Sequence, residues 1–185
     1  MTPEHKLKLL VAHRPWETEP DREEWVHTPT RYKCKIWRHP NLLHWCGYVG
    51  IPYGHVWYGR SYNDETKLPQ PLVHGGVTFS GRMLDTKGRA VWWVGFDCGH
   101  ADDMSPGILM SLLDIDHNPF LRLNSEEYRD IAYVRNECNL LATNLYRIDE
   151  EHTTARVMLA AQKAAREGVP LSTVLKRSNN VRRKK

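Results

Sequence analysis

The chain has 185 residues, 41% of them hydrophobic and 26% charged, with a formal net charge of +4. These values suit one soluble domain with a real core, and no apolar run approaches the roughly 20 residues that a membrane span needs. The N-terminus also lacks an apolar signal segment, so a cytosolic protein without a membrane partner is expected.

The charge is uneven. The last ten residues, KRSNNVRRKK, hold six Lys or Arg and no acid, which leaves 20 basic against 22 acidic residues elsewhere, about −2. The tail at 176–185 is a candidate contact for nucleic acid or an acidic partner, and equally a solvating terminus. Seven Trp and eight Tyr stand against three Phe. Such amphipathic rings fit half-wet sites as well as an aromatic core. The four cysteines are scattered without a CxxC pair, so reduced thiols are expected.

In chain order, Lys6–His13 is a short amphipathic piece. Pro15–Pro29 combines five acids with three prolines and reads as an extended arm pinned by Trp16 and Trp25. Arg31–Trp37 alternates Tyr32, Cys34 and Ile36 with Lys33 and Lys35, a strand with one wet face. His44–Ile51 is a second strand, followed by a glycine- and aromatic-rich loop at 52–62 that contains His55. Val73–Leu84 and Arg89–Phe96 then flank the turn Asp85-Thr86-Lys87-Gly88 and predict a hairpin. The second run is apolar on both faces, as in a central strand. Pairing would bring His74 to the same end as Asp97, Cys98, His100, Asp102 and Asp103.

Ser105-Pro106 predicts a short helix to about Leu113, and Asp114–Leu123 a loop. Asn124 predicts a helix start, with Glu127 as its capping-box partner. Ile131, Val134, Cys138, Leu141 and Leu145 form one apolar stripe, long enough to cover a sheet. A further helix is expected to restart near Asp149 and end at Gly168. Pro170–Lys176 could add one more turn. The expected fold is α+β: a mainly antiparallel sheet packed by a long helix, with a helical C-terminal extension. The expected organisation is an arm at 1–30, a core at 31–148, a helical extension at 149–175 and the basic tail.

Four ordered motifs resemble a known family. GYVGIPYGHVWYG (47–59), HGGVTFSG (74–81), WWVGFDCGHADDMSP (92–106) and YRDIAYVRNECNLLATNL (128–145) are similar to those of small proteins of unknown function found mainly in bacteriophages and prophages. The pattern has His-Pro where this chain has His55-Val56, and commonly Ala at the place of Gly99. The resemblance implies a phage setting, with host takeover or counter-defence inside an infected cell. It brings no activity with it.

The polar cluster carries the chemistry. Asp97, His100 and Asp102, with His74, mix hard oxygen and imidazole donors, so a divalent metal is a candidate cofactor. A structural alternative has Asp97 capping a turn and His100 bonded to Asp102 or Asp103. Without a metal, His74 or His100, oriented by Asp97, would serve as a general base. Cys98 is a weaker candidate nucleophile, since alternation turns it away from Asp97. His44 and Cys46 with Cys98 and His100 could form a Cys₂His₂ zinc set, though no tight knuckle is present. Gly75 and Gly76 would expose backbone N–H groups that, with Arg60, Tyr62 and His55 at the mouth, cradle a nucleotide stacked on Trp57 or Tyr58.

The expected function is processing of a phosphorylated or nucleotide-like substrate by His74, Asp97, His100 and Asp102, with Asp103 in support. The alternative is a non-catalytic protein that sequesters a nucleotide or inhibits a host partner through its aromatic surface.

Overall fold

The computed structural model describes residues 3–64, 69–113 and 126–182. The chain divides into two compact units, Met1–Leu145 and Tyr146–Lys185.

The first unit is built on five antiparallel strands: β1 (Arg22–Val26), β2 (Lys33–Arg38), β3 (Trp45–Ile51), β4 (Phe79–Leu84) and β5 (Ala90–Asp97). Their spatial order is β1-β2-β3-β5-β4, so β3 is central, β5 is an interior strand and β4 is an edge. The expected α+β class is what the chain adopts. Residues 22–26, expected in an extended arm, instead complete the sheet as the opposite edge. Among the described residues, three α-helices belong to this unit or begin in it: α1 (Pro3–His13), α2 (Pro106–Leu113) and the start of α3 (Ile131–Glu167).

Register sorts the side chains into two faces. One carries Cys34, Ile36, Trp45, Val49, Val94 and Phe96, all buried. The stripe Val134, Cys138, Leu141 and Leu145 on α3 is equally buried. Gly47 lets that helix come close: a Cβ there would lie 2.4 Å from the Phe96 ring and 2.7 Å from Cys138 Sγ. Two polar contacts hold the β1 edge to the helix. Trp25 Nε1 donates to Asn139 at 3.0 Å, and Arg135 pairs with Glu23.

The other face is curled. Lys33 on β2 pairs with Asp85 at the hairpin tip, and Thr86 Oγ1 donates to Glu24 on β1 at 3.0 Å. The tip thus folds back across the first two strands. The Lys35 ammonium lies 4.3 Å from the Trp93 ring centroid on this face, a cation–π contact that compensates its partial burial.

Helix α3 starts later than expected. Glu127 lies outside it, in a bridge with Asp103, and Asn124 and the expected loop at 114–123 lie outside the described residues. The cap is Asp130, whose Oδ1 accepts the Tyr133 N–H at 2.8 Å. Glu19 accepts the Ile131 N–H at 3.1 Å, satisfying a second terminal donor. The same carboxylate binds Arg38 at 2.7 Å and the Tyr128 hydroxyl at 2.5 Å, so it ties residues near the N-terminus to the helix start.

The second unit contains the remainder of α3 and α4 (Leu171–Arg182). The helix runs through Asp149, where a restart is expected; no Gly or Pro interrupts 131–167. It ends at Gly168 with φ +64, and Val169 N–H reaches back to Ala164 O at 3.1 Å, a Schellman closure. Ala160, Ala164 and Val174 form a small core there. Helix α4 extends beyond the single turn expected, into the basic tail.

Candidate functional site

The site forms where β5 ends. Cys98 N–H donates to Trp45 O at 2.8 Å, which prolongs pairing with β3 by one residue. The chain then turns, Asp103 N–H donating to His100 O at 3.0 Å. Two bonds to Glu127 fix this turn: Glu127 N–H to Asp102 O and Met104 N–H to Glu127 O, both 3.0 Å. They hold the Asp103 side chain inward, with 1% of it exposed.

His74 arrives from the other side in a tight turn, not in a strand. Gly75 and Gly76 have φ of +62 and +85, so the chain cannot stay extended, and β4 begins only at Phe79. Gly75 has a second duty. A Cβ there would lie 1.9 Å from His100 Cε1, so its bare backbone makes room for the imidazole.

Asp103 is the hub. Its Oδ2 lies 2.7 Å from His74 Nε2 and 3.2 Å from His100 Nδ1, and also accepts the His100 N–H at 3.2 Å. Its Oδ1 accepts from Arg129 Nε at 2.9 Å. A carboxylate can only accept here, so each imidazole carries its proton on the nitrogen facing Asp103. His74 Nδ1 then accepts from the Tyr133 hydroxyl at 2.9 Å. His100 Nε2 is left as a basic nitrogen with no hydrogen bond among the described residues, on a side chain 36% exposed. Glu137 accepts the His74 N–H at 2.7 Å, and Glu127 takes the Arg129 guanidinium at 2.7 Å.

Burial alone would raise the pKa of the Asp103 carboxyl. Hydrogen bonds from Arg129, His74 and the His100 amide outweigh it, and the pKa lies below the ordinary value of 3.8. Burial, with Glu137 beside it, pushes the Tyr133 hydroxyl up, so it remains a donor at neutral pH.

Of the residues expected at the site, His74 and His100 do come together. The acid that joins them is Asp103, assigned above only a supporting part. Asp97 is half-buried and accepts the Gly99 N–H at 3.0 Å, the turn-capping alternative. Asp102 is exposed. Cys98 is buried, and burial followed by the Asp103 charge raises its pKa, which makes it an inert thiol.

His55 does not line a mouth: it is buried, Nδ1 accepts the Trp57 N–H at 2.9 Å, and Nε2 faces Leu145 O at 3.1 Å. It clamps the 52–60 loop to α3. Arg60 Nε donates to Val56 O at 2.7 Å within the same loop, and Tyr62 is exposed. Trp57 is buried and offers no stacking face. The glycine cradle is also differently used. The Gly76 N–H donates to Val73 O at 3.0 Å, and the His74 N–H already holds a carboxylate.

Arg129, Tyr133 and Glu137 escaped the sequence reading. Tyr133 and Glu137 stand four residues apart beside the apolar stripe, and that spacing was the available signal; Arg129, ahead of the helix cap, left none.

Among the described residues, one group has the composition and closeness to hold a metal ion: His74, His100 and Asp103, with ligand atoms within 4.8 Å of one another. The Cys₂His₂ set is not such a group. Comparison of the chain with known proteins finds no matching family model, no matching curated protein and no matching solved structure.

Proposed function

We propose that His74, Asp103 and His100 form an acid–base centre that processes a phosphorylated or nucleotide-like substrate, with His100 as the base. One observation carries this reading: a single buried carboxylate orients two imidazoles and leaves Nε2 of the more exposed ring unbonded. A fixed tautomer beside an anchored carboxylate is the arrangement a general base needs. His74, bonded through both ring nitrogens to Asp103 and to the Tyr133 hydroxyl, is a positioning residue that fixes the carboxylate orienting His100. Arg129 neutralises Asp103, so the pair works without a net buried charge. In the phage setting that the motifs imply, such an activity would serve host takeover or counter-defence.

The test is turnover of a panel of nucleoside phosphates and nitrophenyl phosphate esters. His100→Ala should lower the rate by about 10²–10⁴-fold, the usual contribution of a general base, and keep a native circular dichroism spectrum. An unchanged rate in that variant, or no turnover of any panel member by the intact protein, defeats the proposal.

A second reading is favoured by the closeness of the three ligand atoms. Two His and one carboxylate suit a divalent transition metal. Binding would have to displace the protons shared with Asp103, so affinity should rise with pH. Equilibrium dialysis against Zn²⁺ or Mn²⁺, with His74→Ala as control, decides this: no retained metal, or equal retention by the control, rules it out.

A further inference from the structure

The opposite end of the sheet carries a separate cleft of about 500 Å³. It lies across the ends of β2, β3 and β5, between the chain at 30–33 and the loop at 51–58. From Val91 in its wall to Asp97 near the histidines, β5 climbs roughly 20 Å at about 3.3 Å per residue. Neither site contains a residue of the other.

The lining is aromatic and basic. Tyr58 is the middle ring of a series, 5.2 Å from Tyr53 and 5.6 Å from Trp92 between centroids. Tyr32 closes another side. Tyr53 is 85% exposed, with Tyr58 its recorded ring contact. A large ring held out in this way offers a stacking face at low entropic cost to a second flat molecule.

Among the described residues, no Asp or Glu lines the cleft. Of its two cations, Lys33 is paired with Asp85, whereas the Arg31 guanidinium has no ion pair or hydrogen bond among the described residues. Arg31 also has φ +61, a left-handed conformation that a glycine would adopt without strain. Its N–H closes a turn onto His27 O at 2.8 Å. The left-handed residue closes the turn between β1 and β2 and leaves the unpaired guanidinium at the rim of the aromatic cleft.

We infer that this cleft binds a free nucleotide, the base stacking on the Tyr53–Tyr58 wall and the phosphate meeting Arg31. The volume falls within the roughly 300–1,000 Å³ usual for small-molecule sites. Aromatic rings accept any base face, so selectivity among bases is weak. The phosphate contact lies near solvent and weakens with salt. This inference stands apart from the acid–base reading, because each site can be disabled alone.

The experiment is calorimetric titration of the full chain with AMP, GMP, CMP and UMP, and with the corresponding nucleosides. Tyr53→Ala and Tyr58→Ala should each weaken nucleotide binding by about tenfold or more. Arg31→Gln should reduce nucleotide affinity toward that of the nucleoside and flatten the salt dependence. Trp37→Ala removes an exposed ring outside the lining and should bind as the intact protein does. Tyr53 is so exposed that its variant keeps the test valid even if Tyr58→Ala fails to fold. The inference is overturned by no heat at millimolar nucleotide, by unchanged affinity in Tyr53→Ala and Arg31→Gln, or by an equal loss of binding in Trp37→Ala. Binding of a single-stranded oligonucleotide but of no mononucleotide would also overturn it.

Discussion

The two ends of the sheet treat their polar and aromatic groups in opposite ways. At the Asp97 end, charges face one another: Asp103 meets Arg129 and two imidazoles, and a tyrosine and two further carboxylates close the set. At the Ala90 end, an arginine and a tyrosine face outward with little to hold. The first arrangement fixes geometry and leaves one nitrogen available. The second leaves surface available and fixes little. Stability should therefore depend on the first end, and ligand capture on the second.

The most severe break in that contrast is Asp103→Ala. It strips Arg129 and His74 of a buried partner and should cost about 3–5 kcal/mol, the usual penalty for half of a buried ion pair. Urea denaturation measures it. The same variant should flatten the acid limb of stability. The folded pKa of Asp103 lies below its unfolded value, so its contribution is present above about pH 4 and is lost as the pH falls toward that lower value. A variant as stable as the parent, with the same acid limb, would show that the hub is not a hub.

Gly75→Ala comes next. The new methyl meets the His100 ring at a residue with φ +62, so a loss of about 1–3 kcal/mol is expected, with displacement of His100. An unchanged midpoint and unchanged imidazole resonances would contradict the close fit. Tyr53→Ala, at the other end, should shift stability by no more than about 0.5 kcal/mol. A larger loss would mean that this ring belongs to the core.

Where the sequence was legible, the reason was periodicity. Tyr32, Cys34 and Ile36 alternate cleanly, and β2 runs where they do. Val134 to Leu145 repeat at helical spacing, and they are the stripe buried on the sheet. The hairpin tip at Asp85–Gly88 also follows from its turn residues. The failures share another cause. Val73–Thr78 alternates like a strand, but consecutive left-handed glycines turn it, and alternation does not report the sign of φ. Asp97, Asp102 and Asp103 are equivalent in composition. Which of them faces inward is decided by the His100–Asp103 turn and by a bridge to Glu127, distant in sequence. His55 read as a site histidine because burial and backbone partners leave no mark on the residue itself. Asp149 and its acidic neighbours resemble a helix start, yet they lie inside one continuous helix. A good cap residue inside a helix is overridden once the turns on both sides are already bonded.

Glu19 also sets a timetable for synthesis. It emerges from the ribosome well before its partners Tyr128 and Ile131, which follow 109 and 112 residues later. Trp25 waits 114 residues for Asn139. Strand β1 can pair with β2 at once, but it gains these side-chain ties only when the start of α3 has been translated. Such long loops close slowly and delay folding. Strand β1 is an edge of the sheet, and the acids Glu19, Asp21, Glu23 and Glu24 around it would keep nascent chains from pairing with one another along it.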